Sequence, residues 1–123
     1  MKKVVCVLML SLAALFCQKP APADYVVEIA TVKAKPGVSE NQMKTGLNIL
    51  NEFAEAQPGF LGREFGLSDD GSWVDVVRWA DMKAAKAAAE KAMSSKICGP
   101  VFQLFDEKSI SMSHVNIVGR AGS

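Results

Sequence analysis

The sequence predicts an α+β domain of the ferredoxin-like, split βαβ kind, with four antiparallel strands and two helices on one face of the sheet. Two observations carry this. Runs rich in β-branched and aromatic residues alternate with two apolar stripes of helical period, in the order β-α-β-β-α-β. Turn signals separate them at Lys35-Pro36-Gly37, Gln57-Pro58-Gly59, Ser68-Asp69-Asp70-Gly71 and Gly99-Pro100. A chain of 123 residues fits one domain, and neither repeats nor internal linkers divide it.

The first 23 residues stand apart. Lys2 and Lys3 precede an apolar run from Val4 to Cys17 broken only by Ser11, and Ala21-Pro22-Ala23 follows. That is the charged, apolar, small-residue order of a secretory signal peptide, and the run is shorter than the ~20 residues a membrane span needs. Cleavage after Ala23 and export to the periplasm or medium are expected, with no stable membrane insertion afterwards. Lipidation at Cys17 is the weaker alternative, because bulky Phe16 stands where a small residue belongs. The whole chain has 14 basic and 13 acidic residues, a formal charge of +1. Lys2, Lys3 and Lys19 leave with the signal, so the mature chain is slightly acidic and a nucleic-acid surface is not indicated. Cys6 and Cys17 leave too. Cys98 remains alone, excluding an intramolecular disulfide and reading most simply as a buried small residue.

In the mature chain, residues 25–33 hold Val26, Val27, Ile29, Thr31 and Val32 and form strand one. Ser39 and Gln42 have capping-box spacing, and Met43, Leu47, Leu50 and Ala54 recur behind them on one helix face, widened by Phe53. Residues 60–67 form strand two, and Ser68-Asp69-Asp70-Gly71 turns into strand three over 73–80. Asp81 caps helix two over 82–95, whose alanines give high propensity and a thin side against the sheet. Gly99-Pro100 interrupts it, residues 101–105 form a short apolar turn or helix, 108–118 form strand four, and 119–123 form a flexible tail. The expected sheet order is 4-1-3-2.

Helices cover one face of such a sheet, yet strands one and three carry apolar residues on both. Trp73, Val77 and Trp79 oppose Val74 and Val76; Val26, Ala30 and Val32 oppose Val27 and Ile29. The uncovered face therefore predicts a second protein layer, most simply a homodimer packed sheet to sheet.

Three stretches carry a resemblance: Lys35-Pro36-Gly37 before helix one, Gln57-Pro58-Gly59-Phe60 into strand two, and Val76-Val77-Arg78-Trp79 before helix two. They resemble the antibiotic biosynthesis monooxygenase (ABM) family of dimeric α+β barrels. Phe102-x-x-Phe105 with Met112-Ser113-His114 resembles uncharacterised members of that superfamily. The resemblance covers residues 25–118 and implies a dimeric barrel that oxidises a small aromatic, phenolic or quinol-type molecule with molecular oxygen and no bound cofactor. Haem-degrading members carry a second tryptophan nine residues after the one ending strand three, and a haem-ligating histidine ten further. Here those places hold Ala88 and Cys98, which disfavours haem degradation. Many quinol-oxidising members carry histidines in helix two, and this helix has none.

Candidate site residues follow from chemistry. His114, the sole histidine, sits on strand four on the same face as Met112 and Asn116. It is either a general base for a phenolic or quinol substrate or a strand histidine with an ordinary hydrogen-bond partner. Glu28 and Asp75 interrupt apolar runs on the two central strands, where a carboxylate needs a partner, a cavity or the dimer seam. Arg63 and Arg78 are candidate partners across an interface. Trp73 and Trp79 share one strand face and either line a planar pocket or pack in the core or seam. Phe102, Phe105 and Met112 are expected to line the ligand site. No Ser-His-Asp context, phosphate loop or metal-ligand cluster is present in the sequence. The alternative to an enzyme is a non-enzymatic small-ligand-binding or structural homodimer of the same fold.

Overall fold

The structure, a computed structural model, describes residues 24–122. The expected signal peptide, residues 1–23, lies outside the described residues. Strands β1 (Val26–Val32), β2 (Phe60–Leu67), β3 (Trp73–Trp79) and β4 (Ser111–Asn116) form one antiparallel sheet in the order β2-β3-β1-β4, as the split βαβ pattern requires. Helices α1 (Glu40–Glu55) and α2 (Met82–Met93) cover one face, joined by a short helix α3 (Cys98–Phe102).

The helix starts obey the capping rules. The Ser39 hydroxyl accepts from the Gln42 N–H at 3.1 Å while the Gln42 side chain accepts from the Ser39 N–H at 2.8 Å, satisfying two free donors of α1. Asp81 accepts from the Ala84 N–H at 2.7 Å at the start of α2. Met43, Gly46, Leu47, Leu50 and Ala54 form the buried stripe of α1. On α2, Ala85 and Ala88 are buried, so the alanine side faces the sheet. Gly59 (φ +82°) leads into β2, and a Cβ there would lie 2.6 Å from the Ala84 Cβ, so the turn and α2 pack at backbone distance.

Two expectations need correction. Gly99-Pro100 does not break a helix but occupies the first turn of α3, where a missing N–H leaves no helical bond unmade. The Ser95 hydroxyl accepts from the Ile97 and Cys98 N–H groups just before it, at 3.1 and 3.2 Å. Strand four begins at Ser111 rather than 108, because the Asp106 carboxylate accepts from the Lys108 N–H and winds Glu107–Ser109 into a 3₁₀ turn. Residues 117–122 carry no helix or strand, and the Arg120 guanidinium lies 5.8 Å from the Tyr25 ring centroid.

The core is split along the strands. One cluster joins Val32 and Trp73 to Met43, Leu47, Cys98, Val101 and Phe105; the other joins Val26, Val77 and Trp79 to Ala85 and Ala88. Between them the sheet carries polar side chains under the helices. No described helix is long and apolar enough to cross a membrane.

Candidate functional site

Register decides which side chains meet. Glu28 lies opposite Val77 on one side and His114 on the other, while Asp75 lies opposite Ala30 and Phe65. Alternation then turns Glu28, Arg63, Asp75 and His114 to the helix-covered face together with Val26, Val32, Trp73 and Trp79. Each of the four strands contributes one titratable group. The band reads Arg63, Asp75, Glu28, His114 across the sheet: cation, anion, anion, imidazole.

The outer groups each hold an inner one. His114 Nε2 and Glu28 Oε2 are 2.7 Å apart, with side chains 18% and 12% exposed. Arg63 donates from Nε and Nη2 to the two oxygens of Asp75, both at 2.9 Å, in the planar bidentate pairing that suits guanidinium and carboxylate. Its Nη1 donates to the Leu47 carbonyl and to Asn51 Oδ1, both at 2.6 Å, tying the sheet to the middle of α1. The Arg63 side chain is 3% exposed and stacks 4.8 Å over the Phe65 ring centroid. Arg63 thus pairs inside its own chain rather than across an interface, and Arg78 pairs with Glu64 at 3.0 Å on the opposite face. The hairpin register was the signal that could have found the Arg63–Asp75 pair, since counting back from the turn brings the two strands' inward residues alongside each other.

Above the band lies a cavity of about 630 Å³ between sheet and helices. Glu28, Arg63 and Asp75 are on its polar wall; Leu47, Leu50 and Ala88 are among the residues of its apolar wall. Trp73, Trp79, Phe102, Phe105 and Met112 line it as well. His114 does not line the cavity itself and reaches it through Glu28. Trp79 lines the cavity, and its Nε1–H, shielded from solvent, has no hydrogen-bond partner among the described residues. Ligand pockets have this constitution, apolar with a few convergent polar groups.

Burial raises the Glu28 pKa above the ordinary carboxylate value; the hydrogen bond and charge of His114 act against that, Asp75 pushes the same way as burial, and Arg63 opposes it. A carboxylate held in this way is a proton acceptor of increased basicity. Cys98 also lines the cavity; burial raises its thiol pKa, so it is held as the neutral thiol. The residues do not fit a haem. His114 is tied to Glu28, and Arg63, the one cation among the lining residues, is engaged by Asp75, so neither is free for an iron or a propionate.

Solved structures share this fold. SnoaB, a cofactor-independent oxygenase from Streptomyces nogalater, is 18% identical with a TM-score of 0.57, covering 81% of this chain and 97% of SnoaB. A candidate antibiotic biosynthesis monooxygenase from Bordetella bronchiseptica is 19% identical with a TM-score of 0.64, covering 74% and 94%. A heme-degrading protein from Mycobacterium tuberculosis is 18% identical with a TM-score of 0.57, covering 83% and 100%. No family model and no curated protein sequence matches the chain. The chain therefore has the α+β, ferredoxin-like fold of these proteins, and at such identities the likeness speaks for the fold alone.

Proposed function

We propose that the protein is an exported, homodimeric ABM-like barrel that binds a small aromatic, phenolic or quinol-type molecule in the cavity and oxidises it with molecular oxygen. The observation that carries this reading is the Glu28–His114 pair opening, through Glu28, onto a largely apolar cavity whose other buried polar pair, Arg63–Asp75, is closed on itself. A phenol or an activated aromatic methylene is inert to oxygen until it loses a proton, and a desolvated carboxylate is suited to take one. The likeness in fold to a cofactor-independent oxygenase supports the same reading.

In this mechanism Glu28 accepts the substrate proton, and His114, behind it, holds the carboxylate in place and shares its charge. The substrate anion gives one electron to oxygen; the resulting radical and superoxide combine to form a C–O bond. At a methylene carbon the peroxide then loses its remaining C–H proton and expels hydroxide, which takes up the proton on Glu28. The sum is CH₂ and O₂ giving C=O and H₂O, with no further reductant. Export rests on the sequence of residues 1–23, and the dimer on the apolar outer sheet face of Val27, Ile29, Val74 and Val76.

The second reading, a non-enzymatic ligand-binding homodimer, is favoured by the Arg63–Asp75 closure, since half of the polar wall is already satisfied within the fold. Oxygen uptake with a panel of phenols and quinols separates the two. The oxygenase reading expects uptake by wild type that Glu28→Gln abolishes. His114→Ala should retain partial activity with its acid limb moved to higher pH, because Glu28 loses the group that stabilises its charge. Binding without uptake in any of the three proteins would establish the binding module, and equal uptake in all three would remove the pair from the mechanism.

A further inference from the structure

Exposure marks the mouth of the cavity. Among the described lining residues, Glu90, Met93, Gln103, Glu107, Ile110 and Met112 are open to solvent, so they form its rim. Met93 is the last residue of α2, and Met112 is on β4, opposite Ala30 and on the helix side of the sheet. β4 is an edge strand that the helices leave largely uncovered, and Met112 is 51% and Met93 80% exposed. A ligand entering the apolar cavity meets this rim first.

The four methionines of the described residues divide by burial. Met43 is enclosed in the core and Met82 packs half-buried at the start of α2, whereas Met93 and Met112 share the mouth. Both carry flexible thioethers that adapt to a ligand's outline and that peroxides attack when exposed. Ile110, the third apolar residue of the rim, has no such chemistry. Cys98, deeper in the lining, is 1% exposed and held as the neutral thiol, so it competes poorly for the oxidant. Met112 is on the opposite side of the sheet from Val27, Ile29, Val74 and Val76, so a dimer formed through that outer face leaves it open.

The chemistry is oxygen transfer from hydrogen peroxide. A sulfur lone pair attacks one peroxide oxygen; the S–O bond forms, the O–O bond breaks, and the departing hydroxide takes the proton of the transferred hydroxyl. The sum is thioether and H₂O₂ giving sulfoxide and H₂O, with sulfur oxidised and peroxide reduced. A sulfoxide is polar where an apolar ligand needs apolar contact. Resting on the cavity as the ligand site, we infer that Met93 and Met112 form a peroxide-modified gate, whose oxidation to sulfoxides lowers affinity for an apolar ligand and whose reduction restores it.

The test is a titration of the full protein with N-phenyl-1-naphthylamine, an uncharged dye that fluoresces in apolar surroundings, before and after mild treatment with hydrogen peroxide. Peptide mass spectrometry locates the added oxygen. Met93 and Met112 are expected to gain it well before Met43, with circular dichroism unchanged. Dye affinity should fall about fourfold for each thioether in contact with the dye, the equivalent of one buried methylene. Methionine sulfoxide reductases, one for each sulfoxide epimer, should restore it. The double variant Met93→Leu, Met112→Leu is expected to bind the dye as wild type does and to keep its affinity through the same treatment. Unchanged affinity in the oxidised wild type, an equal loss in the leucine variant, or oxidation of Met43 as early as the other two overturns the inference and leaves the cavity reading standing. Absence of dye binding before treatment overturns both. The wild-type comparison and its reversal decide the matter even if the double variant does not fold.

Discussion

Glu28 Oε2 lies 2.7 Å from His114 Nε2, and the two residues face each other directly across β1 and β4. The contact fixes a direction in pH. Burial lifts the Glu28 pKa, so the folded protein binds that proton more tightly than the unfolded chain, whose value is near the ordinary 4.5. The stability this proton contributes is complete below about 4.5 and is lost as pH rises through the folded value, at no more than about 1.4 kcal/mol per pH unit. In His114→Ala the two opposing influences of the imidazole are gone. A carboxyl-carbon NMR titration is expected to place the Glu28 midpoint above 4.5 in wild type and higher still in the variant. A midpoint at or below 4.5 would show that the hydrogen bond, not burial, dominates.

Arg63 joins three elements, and its removal should be costly in a particular way. Arg63→Met leaves the Asp75 carboxylate without its donor and removes the tie to α1 at the Leu47 carbonyl and Asn51 Oδ1. Loss of one partner from a buried pair costs about 3–5 kcal/mol, and the partial opening of Asp75 to the cavity puts this case near the lower end. The double variant Arg63→Met, Asp75→Val removes both charges and is expected to recover at least half of that loss in urea unfolding. Recovery of nothing would show that the link from Arg63 to α1, rather than the ion pair, carries the stabilisation.

The backbone of this fold was legible because each element carries its own local signal: the capping box at Ser39 and Gln42, the hairpin turn before Trp73, the alanines of α2. The sheet order followed from connectivity. The partnership of Arg63 was less legible: the sequence offered it as a partner for the carboxylates across an interface, and only the strand register sets it beside Asp75 within the chain. Period two grouped Glu28 with Val26 and Ala30 but left open which face they share, because both faces of these strands are apolar. His114 was visible as a base, whereas its position behind Glu28, off the cavity, depends on the β1–β4 pairing.

Two left-handed glycines provide an internal control. Gly37 (φ +87°) has open space around the place a Cβ would take, whereas at Gly59 (φ +82°) the Cβ would meet Ala84 at 2.6 Å. Gly37→Ala should therefore cost only the backbone term, about 1–2 kcal/mol. Gly59→Ala adds overpacking of about 1–3 kcal/mol and pushes α2 off the sheet beside Trp79. Thermal unfolding should rank the two in that order, and equal losses would mean that α2 yields without cost.

The outer sheet face is the remaining question of assembly. Val76 stands opposite Ile29 on this face, with Val27 and Val74 beside them and Val115, 39% exposed, on β4. Gly62 lets the Arg78 guanidinium lie flat across β2, where a Cβ would collide with it, so the face stays level enough for a second sheet. Val76→Lys places a charge at the centre of that surface, which sheet-to-sheet packing of two copies would have to bury. A proposed dimer should then become a monomer by light scattering at micromolar concentration, with its circular dichroism unchanged, because the helix-side core does not involve Val76. A wild type that is already monomeric would leave the apolar face to some other partner and sink the dimer.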